Sequence, residues 1–422
     1  MSITKFNWNK PFISTIQGSL HYDLTERFSH YTGQGKVLRL NHIATLSSEL
    51  YIEALSLAFQ HAKNLSKNIN LLKSIARALH DQGIAVPEGT ESIAEKEATL
   101  IAERETLTQS IEATSWNWNH ASSTVSNGFK NLAFLLYEMG DFDGAKVNII
   151  KFRDTVSPKN YEEIVESLIF EATVNFFSSK NYSSSLAFSS KLTSLFLDKN
   201  GSLSWPGAVK IGVLCGIATL QQEKYREAAS VLLKISPKHK LIFNDIATPQ
   251  DLAVYITLAA LASFSRSELQ FLSSADQVFQ SLTEDSLQNL SELIEFFLNS
   301  KYKEFFSSLE DFKPDYEADP FLFPILKNLL GAIKKRALLQ YLSAYKNVSI
   351  QTVSETFLLE PSKLEELLKI YIIEGTINVL IDQRNGMLFC REVDESYEKL
   401  VYTTTVADNY LNGCRVLLNT LV

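Results

Sequence analysis

The sequence predicts a mostly helical protein: a right-handed α-solenoid of helical repeats, then a winged helix, then a C-terminal helix. Three observations support this fold class. A turn motif with an aromatic residue recurs between helical segments at intervals of about 40 residues. Residues 349–393 combine two short amphipathic helices with two alternating strands. A heptad pattern of apolar residues runs from residue 400 to residue 421.

The composition is that of a soluble, folded protein with about two or three domains. Of the 422 residues, 45% are hydrophobic, so the chain can bury a large core. The 40 Lys and Arg residues are outnumbered by 48 Asp and Glu residues, and the net charge of −8 disfavours nucleic acid and anionic membranes as main partners. No run approaches the ~18 apolar residues of a membrane span, and the N-terminus lacks the apolar core of a signal peptide.

The first helical segments follow an irregular start. Residues 1–20 show no periodicity and predict an irregular N-terminal arm. From Tyr22 the apolar spacing becomes helical, interrupted by Gly33 and Gly35, which we interpret as a turn between helices. The apolar face consists of Leu24, Phe28, Tyr31, Val37, Leu40, Ile43, Ala44, Tyr51, Ala54, Leu55, Ala58 and Phe59.

A loop and a charged helix come next. Residues 83–90 have turn chemistry, and a charge-rich helix is predicted from Glu91 to Ile111. Its narrow apolar stripe consists of Ile93, Leu100, Leu107 and Ile111. We interpret its charged surface as solvated, with a partner site as the alternative.

The repeat motif joins a turn, an aromatic residue and a small residue. Its copies are Gly140-Asp-Phe142 with Ala145, Lys180-Asn-Tyr182 with Ser185, Glu223-Lys-Tyr225 with Ala228, and a weaker Ser300-Lys-Tyr302. The aromatic residues lie 40, 43 and 77 positions apart, and the last interval is close to two periods. This spacing is typical of TPR-like helix pairs, in which the ring wedges between two helices and the small residue lets the next helix approach. One pair cannot bury its own apolar face, so the pairs must stack in series.

The repeats end near Pro314, and a long helix is predicted from about Phe323 to Tyr345. Its basic segment, Lys334-Lys335-Arg336, alternates with apolar residues, and we expect it on a solvated face. We predict four regions: an irregular arm at 1–20, TPR-like repeats at 21–220, a region of repeats with the winged helix at 221–393, and a helical tail at 394–422.

Two capped helices open the winged helix. Ser349 is the predicted N-cap of a helix with Ile350, Val353 and Phe357 on its apolar face, which ends before Pro361. Ser362 is the predicted N-cap of the second helix, and Gly375 is its predicted left-handed C-cap. The buried face of the second helix consists of Leu364, Leu367, Leu368 and Tyr371.

Two strands follow these helices. The first alternates at Ile377, Val379 and Ile381, and the second runs from Met387 to Cys390. Asn385-Gly386 predicts a two-residue type I′ turn between them. A two-stranded wing leaves a sheet edge free, and a free edge can accept a strand from another chain.

A nucleic-acid interface is the alternative function for a winged helix. From Ser362 to Glu374 the second helix carries two lysines, Lys363 and Lys369, against three glutamates. Such a helix would repel phosphates rather than neutralise them. The charge therefore favours a protein-docking winged helix.

The tail predicts a helix that needs a partner. Its seam consists of Leu400, Thr404, Ala407, Leu411, Cys414, Leu418 and Leu421, spaced alternately by four and three. An isolated helix of this length is marginal in water. The partner is either the chain's own repeats or other helices in a bundle.

No motif indicates catalysis. The seven histidines show no zinc-binding spacing, and Cys215, Cys390 and Cys414 are predicted to be buried thiols rather than a disulfide or metal framework. Nucleophile-elbow, dinucleotide-binding and kinase motifs are missing. The sequence therefore predicts no enzyme and no cofactor.

A helical-repeat solenoid leading into a winged helix and a helical tail resembles the PCI family, the scaffold subunits of the proteasome lid, the COP signalosome and a translation initiation factor. The resemblance covers nearly the whole chain and implies that residues 221–393 form the PCI domain. It is carried by Tyr22-Asp-Leu24, Tyr31-x-Gly33, Arg39-Leu40, Ile43-Ala44, Glu53-Ala-Leu55, Gly140-Asp-Phe-Asp-Gly-Ala145, Asp251-Leu-Ala-Val-Tyr255, Ser300-Lys-Tyr302, Arg336-Ala-Leu-Leu-Gln-Tyr341 and Glu374-Gly-x-Ile377. The stretches Ala260–Gln270 and Leu388–Asp394 look closer to the signalosome members than to the lid members.

The resemblance implies a non-catalytic scaffold subunit of the complex that removes a ubiquitin-like modifier from cullins and so regulates cullin-RING ubiquitin ligases. It implies that another subunit carries the metal-dependent isopeptidase. The implied partners are other PCI and metalloprotease-type subunits and cullin-RING ligases, with no membrane partner, in the nucleus and cytoplasm. The implied subunit interface consists of Ile377, Val379, Ile381, Met387 and Phe389 at the winged-helix edge, and of Leu411, Leu418 and Leu421 in a shared helical bundle. The alternatives are the equivalent proteasome-lid subunit and a nucleic-acid adaptor of the same family.

Overall fold

The computed structural model describes residues 24–47, 50–65, 67–81, 90–115, 122–157, 160–178, 187, 190–191, 193, 203, 205–236, 243–274, 276–283, 290–390 and 395–421. Three predictions lie outside these residues: the irregular arm of 1–20, the loop of 83–89 and the repeat motif of Lys180–Ser185.

Helices make up most of the described chain. In order they are α1 (Leu24–Arg27), α2 (Gly33–Leu46), α3 (Tyr51–Leu65), α4 (Ile69–Asp81), α5 (Thr90–Ser115), α6 (Ser122–Met139), α7 (Phe142–Thr155), α8 (Tyr161–Ser178), α9 (Pro206–Gln221), α10 (Tyr225–Leu232), α11 (Pro249–Ser263), α12 (Arg266–Ser274), α13 (Gln277–Thr283), α14 (Leu290–Leu298), α15 (Tyr302–Asp311), α16 (Lys313–Glu317), α17 (Leu326–Leu342), α18 (Ile350–Phe357), α19 (Pro361–Ile373) and α20 (Glu395–Leu421). The strands are β1 (Asn347–Ser349), β2 (Val379–Asp382) and β3 (Met387–Cys390).

The chain divides into two compact units, each made of two segments. The first unit is Met1–Leu298 with Ser308–Ile333, and the second is Asn299–Ser307 with Lys334–Val422. In the first unit, helices that follow one another along the chain pack together from α2 to α11. This serial packing confirms the predicted helical-repeat solenoid.

The aromatic residue of each described repeat motif begins a helix. These residues are Phe142, Tyr225 and Tyr302. Two positions earlier the backbone is left-handed, with φ of 84° at Gly140, 63° at Glu223 and 59° at Ser300. A left-handed residue ends the preceding helix and turns the chain back, so the ring enters between the two helices of the pair. The motif therefore marks the same structural position in all three described copies.

Asp141 caps the helix in the first of these copies. Its carboxylate accepts a hydrogen bond from the Gly144 N–H, with 3.0 Å between Oδ1 and N. We expect Asp141→Ala to lower the free energy of unfolding by about 1 kcal/mol, because that N–H loses its partner. Urea unfolding would measure the change. Asp141→Ser supplies another capping oxygen and should stay close to the wild type, so equal losses for both variants would contradict this role.

The N-terminal helices bury the predicted apolar face. Residues of α1 to α4 form one cluster that includes Leu40, Leu55 and Ile75, each with 0% exposed surface. The two glycines differ from the prediction, because Gly33 is the first residue of α2 and Gly35 lies in its first turn. Gly33 supplies a left-handed φ of 60° at the start of the helix.

Helices α1 and α2 also contact segments more than 200 residues later in the chain. The Thr32 N–H donates to the Asn244 carbonyl (3.1 Å), and the His42 ring lies 2.9 Å from the Glu317 carbonyl oxygen. Arg27 forms an ion pair with Asp315 at 2.9 Å. Stacking in series does not predict these contacts, because the units of a solenoid normally contact only their neighbours. The first helices are therefore held by the far end of the same unit.

Helix α5 follows its predicted pattern. Leu100 and Ile111 are 8% exposed, and Leu107 is half-buried. Most of the described residues between Leu100 and Ile111 are exposed. Earlier in the helix, the Glu97 carboxylate pairs with the Lys73 ammonium at 2.5 Å. The narrow stripe therefore packs on neighbouring helices while the charged surface faces solvent.

An aromatic cluster forms the core of the second unit. The Tyr302 ring stacks on Phe357 of α18, with 5.4 Å between centroids and 18° between planes. Tyr341 of α17 meets both rings edge-on, at 5.8 Å and 5.5 Å. The last repeat motif thus contributes its ring to the packing of the winged helix.

The basic segment of α17 is half-buried rather than solvated. Lys334 lies over the Phe306 ring at 5.8 Å, and Lys335 lies over Tyr371 at 5.0 Å. Lys335 also pairs with Glu374 at 2.6 Å. The expected solvated face is wrong, because ring faces and a carboxylate attract these ammonium groups within the unit.

Candidate subunit-docking surface

The wing is a three-stranded antiparallel sheet in the order β1-β3-β2. The sequence predicted two strands and missed β1, so β3 is central and β1 and β2 are the edges. The predicted type I′ turn is also wrong. A four-residue loop joins Asp382 to Met387, and Gly386 has a positive φ of 63° whereas Asn385 does not. The Asn385 side chain and backbone N–H donate to the Asp382 carboxylate, which lowers the pKa of Asp382 and fixes the loop.

The hydrogen bonds of β3 show which of its residues face β1. The Cys390 N–H donates to the Lys346 carbonyl at 2.8 Å. The Gly386 carbonyl accepts from the Ile350 N–H at 2.9 Å. Backbone direction alternates along a strand, so the even-numbered residues from 386 to 390 direct their polar groups to β1. The odd-numbered residues of β3 consequently bond to β2.

The same alternation defines the free edge of β2. Phe389 is paired with Leu380, so the Leu380 N–H and carbonyl point into the sheet. Its neighbours Val379 and Ile381 direct their N–H and carbonyl groups outward. No described strand pairs along this edge. The structure thus leaves a short row of backbone donors and acceptors available for another strand.

The two faces of the sheet have different roles. Val379 and Leu388 lie on the inner face and are 5% and 0% exposed. Leu380 and Phe389 lie on the outer face and are 50% and 41% exposed. Of the residues predicted at this interface, Ile377 and Val379 are buried, Ile381 and Met387 are half-buried, and Phe389 is exposed. Val379 can therefore contribute its backbone but not its side chain to a docking partner.

Leu380 was missed by the sequence interpretation. The alternation of Ile377, Val379 and Ile381 predicted an interface on one side of the strand, and in the structure this side packs inward. The signal for Leu380 was a leucine on the opposite side of an edge strand, where a polar residue is usual.

Helix α19 ends as predicted but begins differently. Gly375 has a φ of 68° and donates to the Ile372 carbonyl, while Thr376 donates to the Tyr371 carbonyl, a Schellman arrangement. The N-cap is Glu360, with no side-chain capping bond, rather than Ser362. Pro361 occupies the first position of the helix, where a missing N–H has no effect.

The lysines of α19 are paired with glutamates. Lys363 lies 3.3 Å from Glu360, and Lys369 lies 3.8 Å from Glu365. Their charge is therefore partly neutralised within the helix. Ile370 and Ile373, which are 49% and 86% exposed, lie on the same helix. Because its lysines are paired and its exposed isoleucines are apolar, the surface of α19 is better suited to contact a protein than a nucleic-acid phosphate.

The tail is a continuous helix, as predicted. Every described side chain from residue 399 to residue 413 is exposed, including Leu400 at 62% and Leu411 at 53%. The side chains of Cys414, Leu418 and Leu421 lie outside the described part of the chain. The described part of the predicted seam is therefore open to a partner.

The described residues include no group of three or more His, Cys, Asp or Glu side chains placed to hold a metal ion. None of the described helices combines the length and apolar character needed to cross a bilayer. Cys215 is a buried thiol that forms no disulfide, and burial raises the pKa of the half-buried Cys390 thiol.

Two protein-family models match the chain. The family described as 26S proteasome subunit RPN7 matches residues 90–272, and the PCI domain matches residues 309–392. The first match covers helices of the solenoid, and the second covers the winged helix with the helices before it.

Several curated proteins are similar to the chain over most of its length. COP9 signalosome complex subunit 1 of Arabidopsis thaliana is 25% identical, with 86% of this chain and 81% of the relative covered. The protein of the same name from Emericella nidulans is 25% identical, with 96% and 82% covered. That from Neurospora crassa is 27% identical, with 87% and 85% covered.

Proposed function

Because the chain belongs to the PCI-domain family and resembles COP9 signalosome complex subunit 1 over most of its length, we propose that it is a non-catalytic scaffold subunit of a COP signalosome. In this role it supports the removal of a ubiquitin-like modifier from cullins, and so the regulation of cullin-RING ubiquitin ligases. The main support for the proposal is that the similarity to these signalosome subunits extends through both the solenoid and the winged helix. The open edge of β2 and the exposed tail helix fit a chain that is completed by partner subunits.

The proposed partners are other PCI subunits and the metalloprotease-type subunits of that complex. The β2 edge would accept a strand from a neighbouring winged helix, and α20 would enter a shared helical bundle through Leu411, Leu418 and Leu421. Cullin-RING ligases would be contacted by the assembled complex. We propose that the chain acts in the nucleus and the cytoplasm, which imaging of a fluorescently tagged copy would test.

The edge proposal can be tested at one backbone donor. Val379→Pro removes the outward-pointing N–H of Val379 and leaves the bonds between β2 and β3 intact, because Leu380 and Asp382 make those bonds. We expect the variant to bind its sister subunits about tenfold more weakly, which corresponds to roughly 1.4 kcal/mol. Co-purification from co-expressed subunits, with titration of the purified proteins, would measure this.

Val379→Ala is the matched control for that experiment. It keeps the N–H and shortens only the buried side chain, so its association should equal that of the wild type. Circular dichroism would establish that the proline variant remains folded. A folded proline variant that still assembles with wild-type affinity would count against the β2 edge as an interface.

The equivalent proteasome-lid subunit is the second candidate, and it is favoured by the match of residues 90–272 to the proteasome RPN7 family. Mass spectrometry of the proteins that co-purify with a tagged copy separates the two candidates. Signalosome subunits would support the first proposal. Lid subunits in their place would support the second.

A further inference from the structure

The outer face of the wing carries an apolar pair beside the open edge. Leu380 and Phe389 are direct partners across β2 and β3, and about half of each side chain is exposed. Asn347 of β1 lies opposite Phe389 on its other side. The three residues form a row across the sheet that ends at Leu380, on the strand whose backbone is unpaired.

We infer that Leu380 selects the strand that pairs with the β2 edge, by requiring an apolar side chain directly opposite it on that strand. This inference rests on the proposed function and specifies the chemistry of the partner. The occupant is an extended segment of a different subunit, and its apolar residue continues the row of Phe389 and Leu380.

The argument follows from the direction of the backbone groups. The outward donors and acceptors belong to Val379 and Ile381, so an incoming strand bonds on either side of Leu380. On an antiparallel partner, Leu380 then occupies a non-hydrogen-bonded position, where opposing Cα atoms approach to about 4.5 Å and side chains are closest. An apolar residue there packs on Leu380 and Phe389, whereas a charged residue would be desolvated without a partner.

A second copy of the chain fits this position less well through its other edge. The β1 edge carries the polar residues Asn347 and Ser349 on the outer face, so it offers no apolar side chain to Leu380. Pairing of β2 with β2 of a second copy would place leucine against leucine. Measuring whether the purified chain is a monomer or a dimer tests this β2-to-β2 pairing.

The test uses three full-length variants. Leu380→Thr keeps a strand-forming residue but makes the position polar, and Leu380→Ile keeps it apolar. Ile52→Thr is the matched control, because Ile52 on α3 is a similarly exposed apolar residue that lies outside the docking surface. Association with co-expressed signalosome subunits is measured by titration, and oligomeric state by light scattering.

We expect Leu380→Thr to weaken association about tenfold, with Leu380→Ile and Ile52→Thr close to the wild type. A photo-crosslinking amino acid at position 380 should attach to an apolar residue in a strand of a sister subunit. If Val379→Pro weakens association and Leu380→Thr does not, the selection inference fails while the proposed edge stands. If neither does, the proposed edge fails as well. A crosslink to a second copy, with a dimer that Leu380→Thr dissociates, would also overturn the inference.

Discussion

Arg39→Met is expected to lower the free energy of unfolding by about 3–5 kcal/mol, because it leaves two largely buried carboxylates, Asp251 and Asp319, without their counter-ion. The Arg39 side chain is 2% exposed. Its Nη2 lies 3.0 Å from Asp251 Oδ2 and 3.8 Å from Asp319 Oδ2, and its Nη1 donates to the Ile246 carbonyl at 2.7 Å. The guanidinium also lies over the Tyr31 ring at 4.4 Å. Urea unfolding of the full chain would measure the loss.

The deficit of Arg39→Met should depend on pH. Burial raises the pKa of Asp319, and the Arg39 charge opposes that rise. Without Arg39 the pKa of Asp319 in the folded state rises further above its value in the unfolded chain. A carboxyl with a raised folded-state pKa stabilises the fold when protonated and loses that contribution as pH increases. The difference between variant and wild type should therefore shrink as pH falls from neutral toward the ordinary Asp range.

Arg226→Met is the control for burial. Arg226 pairs with Glu268, but its side chain is 61% exposed, and exposed pairs contribute little because water solvates both charges. Its loss should stay below about 1 kcal/mol. Similar losses for the two arginine variants, or a pH-independent deficit for Arg39→Met, would contradict the role assigned to the buried network.

Gly35→Ala is expected to destabilise the chain by about 2–3 kcal/mol, because the added Cβ would overlap the backbone of Asp245. A Cβ at Gly35 would lie 2.1 Å from the Asp245 carbonyl oxygen and 2.9 Å from its carbonyl carbon. Both atoms belong to the backbone, so no rotamer change relieves the overlap. Helix α2 would have to move away from residues 243–246, which also strains the Thr32 to Asn244 hydrogen bond.

Gly331→Ala is the matched control for that substitution. Gly331 lies within α17, and a Cβ there meets no atom within 4 Å. The same change should stabilise the chain by about 0.5–1 kcal/mol, because alanine favours the helix and restricts the unfolded chain. Thermal unfolding would compare the two. Shifts of the same sign would show that close packing at Gly35 does not determine the outcome.

Local sequence patterns predicted the parts of the fold that depend on neighbours along the chain. The repeat turns at Gly140, Glu223 and Ser300 and the helix end at Gly375 are examples, because a left-handed residue and a ring act within a few positions. Strand β1 was missed since its three residues are too short for a period and pair with β3 about 40 positions later. The Arg39 network was missed because its partners Ile246 and Asp251 are 207 and 212 residues away.

The candidate interface was only partly predictable for a different reason. Alternation on an amphipathic strand identifies the face that packs on its own core, and Ile377 and Val379 belong to that face. A docking residue such as Leu380 lies on the opposite face and has no periodic signal. The direction of backbone donors at the edge also depends on the register with β3, which only the structure defines.

The long-range contacts of α1 and α2 have a consequence for synthesis of the chain. Asp319 lies 280 residues after Arg39, so the two cannot pair until the ribosome has added those residues. At an elongation rate of about 5–20 residues per second, this delay is roughly 15 seconds to one minute. For the first 212 of these residues, until Asp251 is added, Arg39 lacks both of its carboxylate partners. The packing of α1 and α2 on residues 243–319 is therefore expected to be completed late in translation, after Asp319 has been added.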